Sequence, residues 1–260
     1  MTAVAPPLDV KLMNMTAAVL FMAVLVLVGV AAARWAAHLS IFDIKGILVS
    51  GDITHNNAVT LRANVAPRMS GTFFSVDLPR VRSAFEAVPW VRHATVRREF
   101  PNRLQVVLQE HQAAAYWGSE GESRLINSYG EVFEANTGEI DQDTLPRLNG
   151  PQGHGAEVLA MYRALAPLFE KMGMPAEELE LSVGGSWRAQ LEGGASVELG
   201  RGSVEDLSER VNRFLATLTQ VTSRYGRQPS ALESVDLRHE NGYAIRLRGV
   251  STVAAAVPKK

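Results

Sequence analysis

The feature that most constrains this chain is one long apolar segment near its N-terminus. Residues 15–33 read MTAAVLFMAVLVLVGVAAA, in which Thr16 is the one polar side chain. As a helix, this segment would be about 28 Å long, close to the roughly 30 Å thickness of the hydrocarbon core of a bilayer. A core helix of a soluble domain would carry a polar stripe, and this segment has none. The pattern therefore predicts a transmembrane helix over 15–33, preceded by a tail over 1–14.

A cleaved signal peptide is the competing interpretation of the same segment, because Ala31 and Ala33 form a small-residue cleavage pattern. The apolar run exceeds the ~7–15 residues of a signal-peptide core, and Lys11 alone is a weak basic region, so an uncleaved anchor is favoured. Basic residues flank the segment on both sides, with Arg34 and Lys45 after it. Charge counting therefore does not fix its orientation.

The residues after the membrane segment carry the pattern of a small α+β layer over 42–112. The predicted elements are a strand over 42–50, two helices capped by Asn57 and by Asp77, and strands over 91–98 and 103–109. Apolar and polar residues alternate along the last strand, which is typical of a sheet with one buried face. Phe73 and Phe74 follow a turn between the two helices, and we expect both in the core.

The remaining folded part, over 113–250, is predicted to be mostly antiparallel β with two long helices. Charge changes here: residues 41–112 carry 9 basic and 6 acidic side chains, and residues 113–260 carry 15 and 20. Helices are predicted over 156–172 and after the capping pattern at Ser203 and Asp206, with a loop over 145–151. Strands are predicted over 113–117, 124–127, 131–133, 179–183, 187–191, 196–199, 234–238 and 243–248. Residues 251–260 are predicted to be a flexible tail.

Motifs that would indicate catalysis or a cofactor are not found. The chain has no cysteine and a net charge of -1, which argues against thiolate chemistry, disulfides and chain-wide nucleic-acid binding. Its six histidines show no metal-ligand spacing, and no nucleophile elbow or phosphate-binding glycine loop occurs. Pairs of acidic residues are present, but nothing in the sequence places two of them in one cleft. We therefore predict no catalytic, cofactor or metal site and no small-molecule substrate.

The last predicted strand is the best candidate for a binding surface. Its side chains alternate, with Tyr243, Ile245 and Leu247 expected on one face and Ala244, Arg246 and Arg248 on the other. As the last strand of the chain, it could lie at a sheet edge and accept an extended segment of a partner by backbone hydrogen bonding. An edge blunted by its arginines fits the pattern equally well, and both interpretations stay open here.

Short motifs occur in order along nearly the whole chain. They are Pro89-Trp90-Val91, Val96-Arg97-Arg98-x-Phe100-Pro101-Asn102, Glu110-His111-Gln112-Ala113, Asn127-x-x-Gly130, Leu145-Pro146-x-Leu148, Ser186-Trp187, Val197-x-Leu199-Gly200-Arg201 and Val235-Asp236-Leu237-Arg238. On these residues the chain resembles the FtsQ/DivIB family of bacterial cell-division proteins. The resemblance implies a POTRA domain over 42–112 and an FtsQ β domain over 113–250.

The resemblance also implies a function. It describes a non-enzymatic divisome scaffold with a single span in the inner membrane, a cytoplasmic N-terminus and periplasmic domains concentrated at the division septum. Such a scaffold links early and late division proteins and binds FtsB-like and FtsL-like bitopic coiled-coil partners. A membrane-anchored periplasmic cell-wall hydrolase is the alternative from a different class. An outer-membrane transport component is a third, and the single helical span argues against it.

The family's contact with FtsB maps onto a corner and the strand that follows it. The implied site residues are Arg238, His239, Asn241, Gly242, Tyr243, Ala244, Ile245 and Arg246. His239 stands where the family usually has tyrosine, and Gly184 and Gly185 stand where some members have arginines. Arg238 is expected to pair with a carboxylate of the partner. No residue of the POTRA domain is assigned, although the resemblance implies a role for it in recruitment and docking.

Overall fold

The computed structural model describes residues 8–139, 145–239 and 242–250. The chain divides into two compact units, Met1–Glu110 and His111–Lys260. The predicted tail over 251–260 and the first seven residues of the N-terminal tail lie outside the described residues.

Helix α1, Leu8–Ala37, begins the first unit and contains the predicted apolar segment. It is long and apolar enough to cross a membrane, and its apolar side chains are exposed along its length. The helix is longer than the predicted span because favourable helix formers continue the turns on both sides of residues 15–33.

The rest of the first unit has the predicted β-α-α-β-β order. Its elements are β1 Gly46–Gly51, α2 Ala58–Val65, α3 Leu78–Glu86, β2 Val91–Glu99 and β3 Arg103–Glu110. The sheet has the order β1-β3-β2, with β1 parallel and β2 antiparallel to β3. Both predicted caps are confirmed, because Asn57 accepts the Thr60 amide at 2.8 Å and Asp77 accepts the Arg80 amide at 3.2 Å.

Two local predictions for this unit are wrong. The first strand begins at Gly46, because Ser40–Phe42 form a 3-10 turn instead of extended chain. Phe73 is buried as expected, but Phe74 is 50% exposed. The two neighbouring rings project differently, and Phe74 packs edge-on against Phe42 with a centroid distance of 4.9 Å.

The second unit is built on a nine-stranded sheet and two long helices. Its elements are β4 Ala113–Trp117, β5 Arg124–Asn127, β6 Val132–Glu134, β7 Arg147–Asn149, α4 Gly155–Glu170, β8 Ala176–Leu181, β9 Trp187–Leu191, β10 Ser196–Gly200, α5 Val204–Arg224, β11 Leu232–Asp236 and β12 Ala244–Leu247. The strands lie in the order β12-β11-β10-β9-β8-β7-β4-β5-β6. Most neighbouring strands are antiparallel, as predicted, whereas β10–β11, β4–β7 and β7–β8 are parallel.

The two long helices of this unit pack against each other and against the sheet. The predicted capping box begins α5, since Ser203 accepts the Asp206 amide and Asp206 accepts the Ser203 amide. One face of α5 is buried, including Phe214. The predicted loop over 145–151 instead contains β7. This strand is held by parallel pairing with β4 on one side and β8 on the other, and its three residues are too few to show an alternating pattern in the sequence.

Candidate partner-binding edge

Strand β12 lies at one end of the nine-stranded sheet, and no described strand lies beyond it. Its side chains alternate as predicted: Leu247 is buried and Tyr243 and Ile245 are half-buried, whereas Ala244 and Arg246 are exposed. The apolar face packs on the core of the unit. The expected edge position of the strand is therefore seen in the structure.

The backbone of β12 shows which amides face the open side. Backbone N–H groups of successive residues alternate between the two sides of a strand. The Arg248 amide donates to the carbonyl oxygen of Ala231 at 2.8 Å, so Arg248 faces β11. Counting back along the strand, Arg246 and Ala244 also face β11. Ile245 therefore directs its N–H and C=O away from the sheet.

The neighbouring strand gives the same result independently. The Leu237 amide donates to the carbonyl oxygen of Glu198 in β10 at 2.8 Å, so Leu237 and Val235 face β10. Asp236 then faces β12, opposite Ala244. Val235, which faces β10, lies opposite Ile245. Thus Ile245 is at a position where the two strands exchange no hydrogen bonds, and its backbone groups are directed to the open edge.

The corner before β12 is held by an ion pair. The Arg238 guanidinium donates to both carboxylate oxygens of Asp236, at 2.8 and 2.5 Å, and the Arg238 amide donates to the same carboxylate at 3.0 Å. These hydrogen bonds hold the pKa of Asp236 at about 2 and raise the pKa of Arg238. The Arg238 side chain is still 58% exposed, so an incoming carboxylate can reach its outer face.

A groove of about 420 Å³ lies between this corner and α5. The Tyr243 hydroxyl lies 2.7 Å from the Thr217 hydroxyl, and the Tyr243 ring packs edge-on against Phe214 at 5.2 Å. The lining of the groove combines apolar side chains with cationic side chains and a histidine. The lining residues are Arg210, Arg213, Phe214, Thr217, Leu237, His239, Gly242 and Tyr243.

The structure brings most of the predicted site residues together along this edge. His239, Gly242 and Tyr243 line the groove, and Arg246 contacts Glu233 of β11 at 3.2 Å. Asn241 lies outside the described residues. The contributions of Phe214 and Thr217 were missed, because the periodicity of α5 marks its buried face but not which strand that face meets.

Another groove, of about 640 Å³, lies in the first unit beside β1, which is an edge strand of its sheet. Ile47 and Val49 of β1 and Leu61 and Val65 of α2 are among the residues that line it. In the described parts of the chain, no group of three or more histidine, aspartate and glutamate side chains could hold a metal ion.

In the described residues, one apolar helix long enough to cross a membrane precedes two folded modules, each with an edge strand in its sheet, which is an arrangement typical of single-pass membrane proteins. Comparison with known proteins identifies the modules. Residues 42–111 match the POTRA domain of FtsQ type, and residues 115–238 match the C-terminal domain of the cell-division protein FtsQ/DivIB.

Full-length relatives give the same assignment. The chain is 40% identical to the cell division protein FtsQ of Burkholderia pseudomallei over 93% of this chain and 94% of the relative. It is 36% identical to FtsQ of Thiomonas arsenitoxydans, over 94% and 89%, and 36% identical to FtsQ of Bordetella pertussis, over 92% and 90%. The chain belongs to the FtsQ/DivIB family of cell-division proteins.

Proposed function

We propose that this chain is a non-enzymatic divisome scaffold that captures a partner strand on β12. In this proposal residues 1–14 are cytoplasmic, 15–33 span the inner membrane, and the POTRA domain over 42–112 and the β domain over 113–250 are periplasmic at the septum. The partners are FtsB-like and FtsL-like bitopic coiled-coil proteins, and the scaffold links them to other division proteins. The groove beside β1 is available for the recruitment role of the POTRA domain.

The observation that carries this proposal is the orientation of Ile245. Its N–H and C=O are directed to the open side of the sheet, so an extended partner segment can add a tenth strand without breaking a bond within the sheet. The exposed Ala244 and Arg246 side chains would then neighbour side chains of the added strand.

Charge favours an acidic partner segment at this edge. Arg238 and Arg246 are both more than half exposed, and the adjacent groove adds cationic residues from α5. Asp236 and Glu233 each pair with one of these arginines, but both arginine side chains stay more than half exposed, so their outward N–H groups can still donate to a partner carboxylate. A carboxylate on the partner would gain a charge-assisted hydrogen bond with Arg238.

The experiment is an affinity pull-down of the full-length chain from mildly solubilised membranes, with mass spectrometry of what is recovered. Ile245→Pro removes the open-edge N–H and leaves the bonds to β11 in place, since proline is tolerated on edge strands. Ile245→Ala is the matched control, because it removes the side chain and keeps the N–H. We expect Ile245→Pro to reduce recovery of small single-span coiled-coil proteins at least tenfold, and Ile245→Ala to keep most of it.

Two results would contradict the proposal. Equal recovery by Ile245→Pro and the unsubstituted chain would place the interface elsewhere. Equal loss by Ile245→Pro and Ile245→Ala, with both proteins folded by circular dichroism, would show that packing of the side chain matters and the backbone donor does not. Activity of the unsubstituted chain in a cell-wall hydrolysis assay would instead support the alternative of an anchored hydrolase.

A further inference from the structure

Exposed aromatic and aliphatic side chains of the first unit lie near the C-terminal end of α1. Phe74 and Phe100 are 50% and 79% exposed, and Leu39 and Ile41 are 38% and 68% exposed. The rings are linked through buried Phe73, whose centroid lies 5.2 Å from that of Phe74 and 6.3 Å from that of Phe100. We call Leu39, Ile41, Phe74 and Phe100 the juxtamembrane patch.

Hydrogen bonds tie this patch to the end of the apolar helix. The Thr72 hydroxyl donates to the carbonyl oxygen of Ala37, the last residue of α1, at 2.6 Å. The Phe73 amide donates to the carbonyl oxygen of Phe42 at 2.7 Å, so a second hydrogen bond joins the segment that carries Phe73 to the residues that follow α1. Arg98 then holds the loop from the other side by donating to the carbonyl oxygens of Phe73 and Val76, at 2.7 and 2.8 Å.

The length of α1 places this contact at the depth of the lipid headgroups. If residues 15–33 fill the hydrocarbon core, Ala37 lies about 6 Å beyond its boundary at 1.5 Å per residue. The headgroup layer on each side of a bilayer is about 5–7 Å thick. Thr72 and the rings beside it are therefore at the height where aromatic side chains favour the membrane interface. Trp35, 70% exposed on the last turns of α1, has the same preference.

We propose that the juxtamembrane patch inserts into the headgroup layer of the bilayer that α1 spans, so that the POTRA domain rests on the lipid surface through this patch. The occupant of the patch is lipid, because the chain itself brings the patch to the interface and because apolar side chains there would otherwise remain in water. Strand β3 begins at Arg103, next to Phe100, and ends at Glu110, about 23 Å further along the strand. The Glu110 end would therefore be held off the membrane.

The absence of cysteine allows a clean test with single-cysteine variants. Full-length Phe100→Cys is labelled with an environment-sensitive fluorophore and reconstituted into vesicles of phosphatidylethanolamine and phosphatidylglycerol. Val59→Cys is the matched control, because Val59 is also exposed, at 78%, and lies beside the Asn57 cap of α2, next to the Asn56–Glu110 hydrogen bond at the opposite end. Quenching is measured with aqueous iodide and with lipids spin-labelled near the headgroup.

The expected result is at least threefold weaker iodide quenching at position 100 than at position 59, with strong quenching by the spin-labelled lipids at position 100 only. Adding Phe74→Asp is expected to return position 100 to the iodide sensitivity of position 59. Equal iodide quenching at the two positions would overturn the proposal. Protection from iodide without quenching by lipid would also overturn it, since a protein would then cover the patch.

The inference rests on α1 being the membrane span that the proposed function includes. A label at Val24→Cys, in the middle of α1, checks the span separately. It is tested for quenching by lipids that carry the spin label deep in their acyl chains. If spin-labelled lipids quench the label at Val24→Cys but not the label at Phe100→Cys, α1 spans the membrane and the POTRA domain does not rest on it. That result would contradict this inference and leave the proposed membrane span intact.

Discussion

The most quantitative prediction concerns Glu110, a buried carboxylate that holds the loop before α2. Its side chain is 4% exposed, and Oε2 accepts the amides of Thr54 and His55 at 3.0 and 2.9 Å. Oε1 accepts the amide and the side-chain nitrogen of Asn56 at 3.0 and 2.8 Å. Burial raises the pKa of Glu110, but hydrogen bonds with the amides and side chains of His55 and Asn56 lower it by more, so the carboxylate is charged at neutral pH.

Glu110→Gln keeps the shape and replaces one carboxylate oxygen with an NH₂ group. If the amide oxygen stays towards Asn56, the NH₂ group faces the two N–H groups of Thr54 and His55, which lose their acceptor. These two part-buried hydrogen bonds to a charged acceptor contribute roughly 1.5–3 kcal/mol each, so losing both costs the loop about 3 kcal/mol of local stability. That corresponds to an opening equilibrium roughly a hundredfold higher.

Amide hydrogen exchange of the full-length chain in detergent measures this opening directly. We expect exchange of the Thr54 and His55 amides to become about a hundredfold faster in Glu110→Gln. Asp52→Asn is the matched control, because Asp52 is an exposed acid in the same loop and its change removes the same charge. Exchange within threefold of the unsubstituted chain in Glu110→Gln would refute the view that this carboxylate holds the loop.

Two further predictions concern the β domain. Because the pKa of Asp236 is lowered from 3.8 to about 2, its stabilising contribution is complete above about pH 4 and is lost as the pH falls towards 2. The Arg238 amide resonance should therefore titrate with a midpoint near 2. A midpoint near 3.8 would contradict the ion pair. Gly130→Ala should destabilise the domain by roughly 2–4 kcal/mol in chemical denaturation, because φ is 84° and the added Cβ would lie 2.4 Å from the Ala156 Cα. Gly121→Ala, with φ of 87° and nothing within 4 Å, should cost about 1 kcal/mol, and equal costs for the two changes would show that the close approach is unimportant.

Local sequence signals predicted the elements that carry their own pattern. The caps at Asn57, Asp77 and Ser203 could be read because a short polar side chain precedes each apolar repeat, and all three are confirmed. Alternation in β12 predicted which side chains face the core. The strand at Arg147–Asn149 could not be predicted, because three residues show no period and its pairing with β4 and β8 comes from distant parts of the chain.

The candidate site divides in the same way. The last strand and its corner could be found from the sequence, through the alternation and the family motif ending at Arg238. The open direction of the Ile245 amide could not, since it depends on which side β11 occupies. The burial of Phe73 and the exposure of Phe74 could not be separated either, because neighbouring phenylalanines look alike until the chain around them is placed.

The central claim is that a partner adds a strand at β12, and hydrogen exchange at single amides tests it most directly. Ala244 and Arg246 already face β11, so their amides should be protected in the free chain and change little. The amides of Ile245 and Leu247 face the open side and should become at least tenfold more protected when an FtsB-like partner is bound. If the partner binds and both open-side amides exchange as fast as before, strand addition at β12 is contradicted.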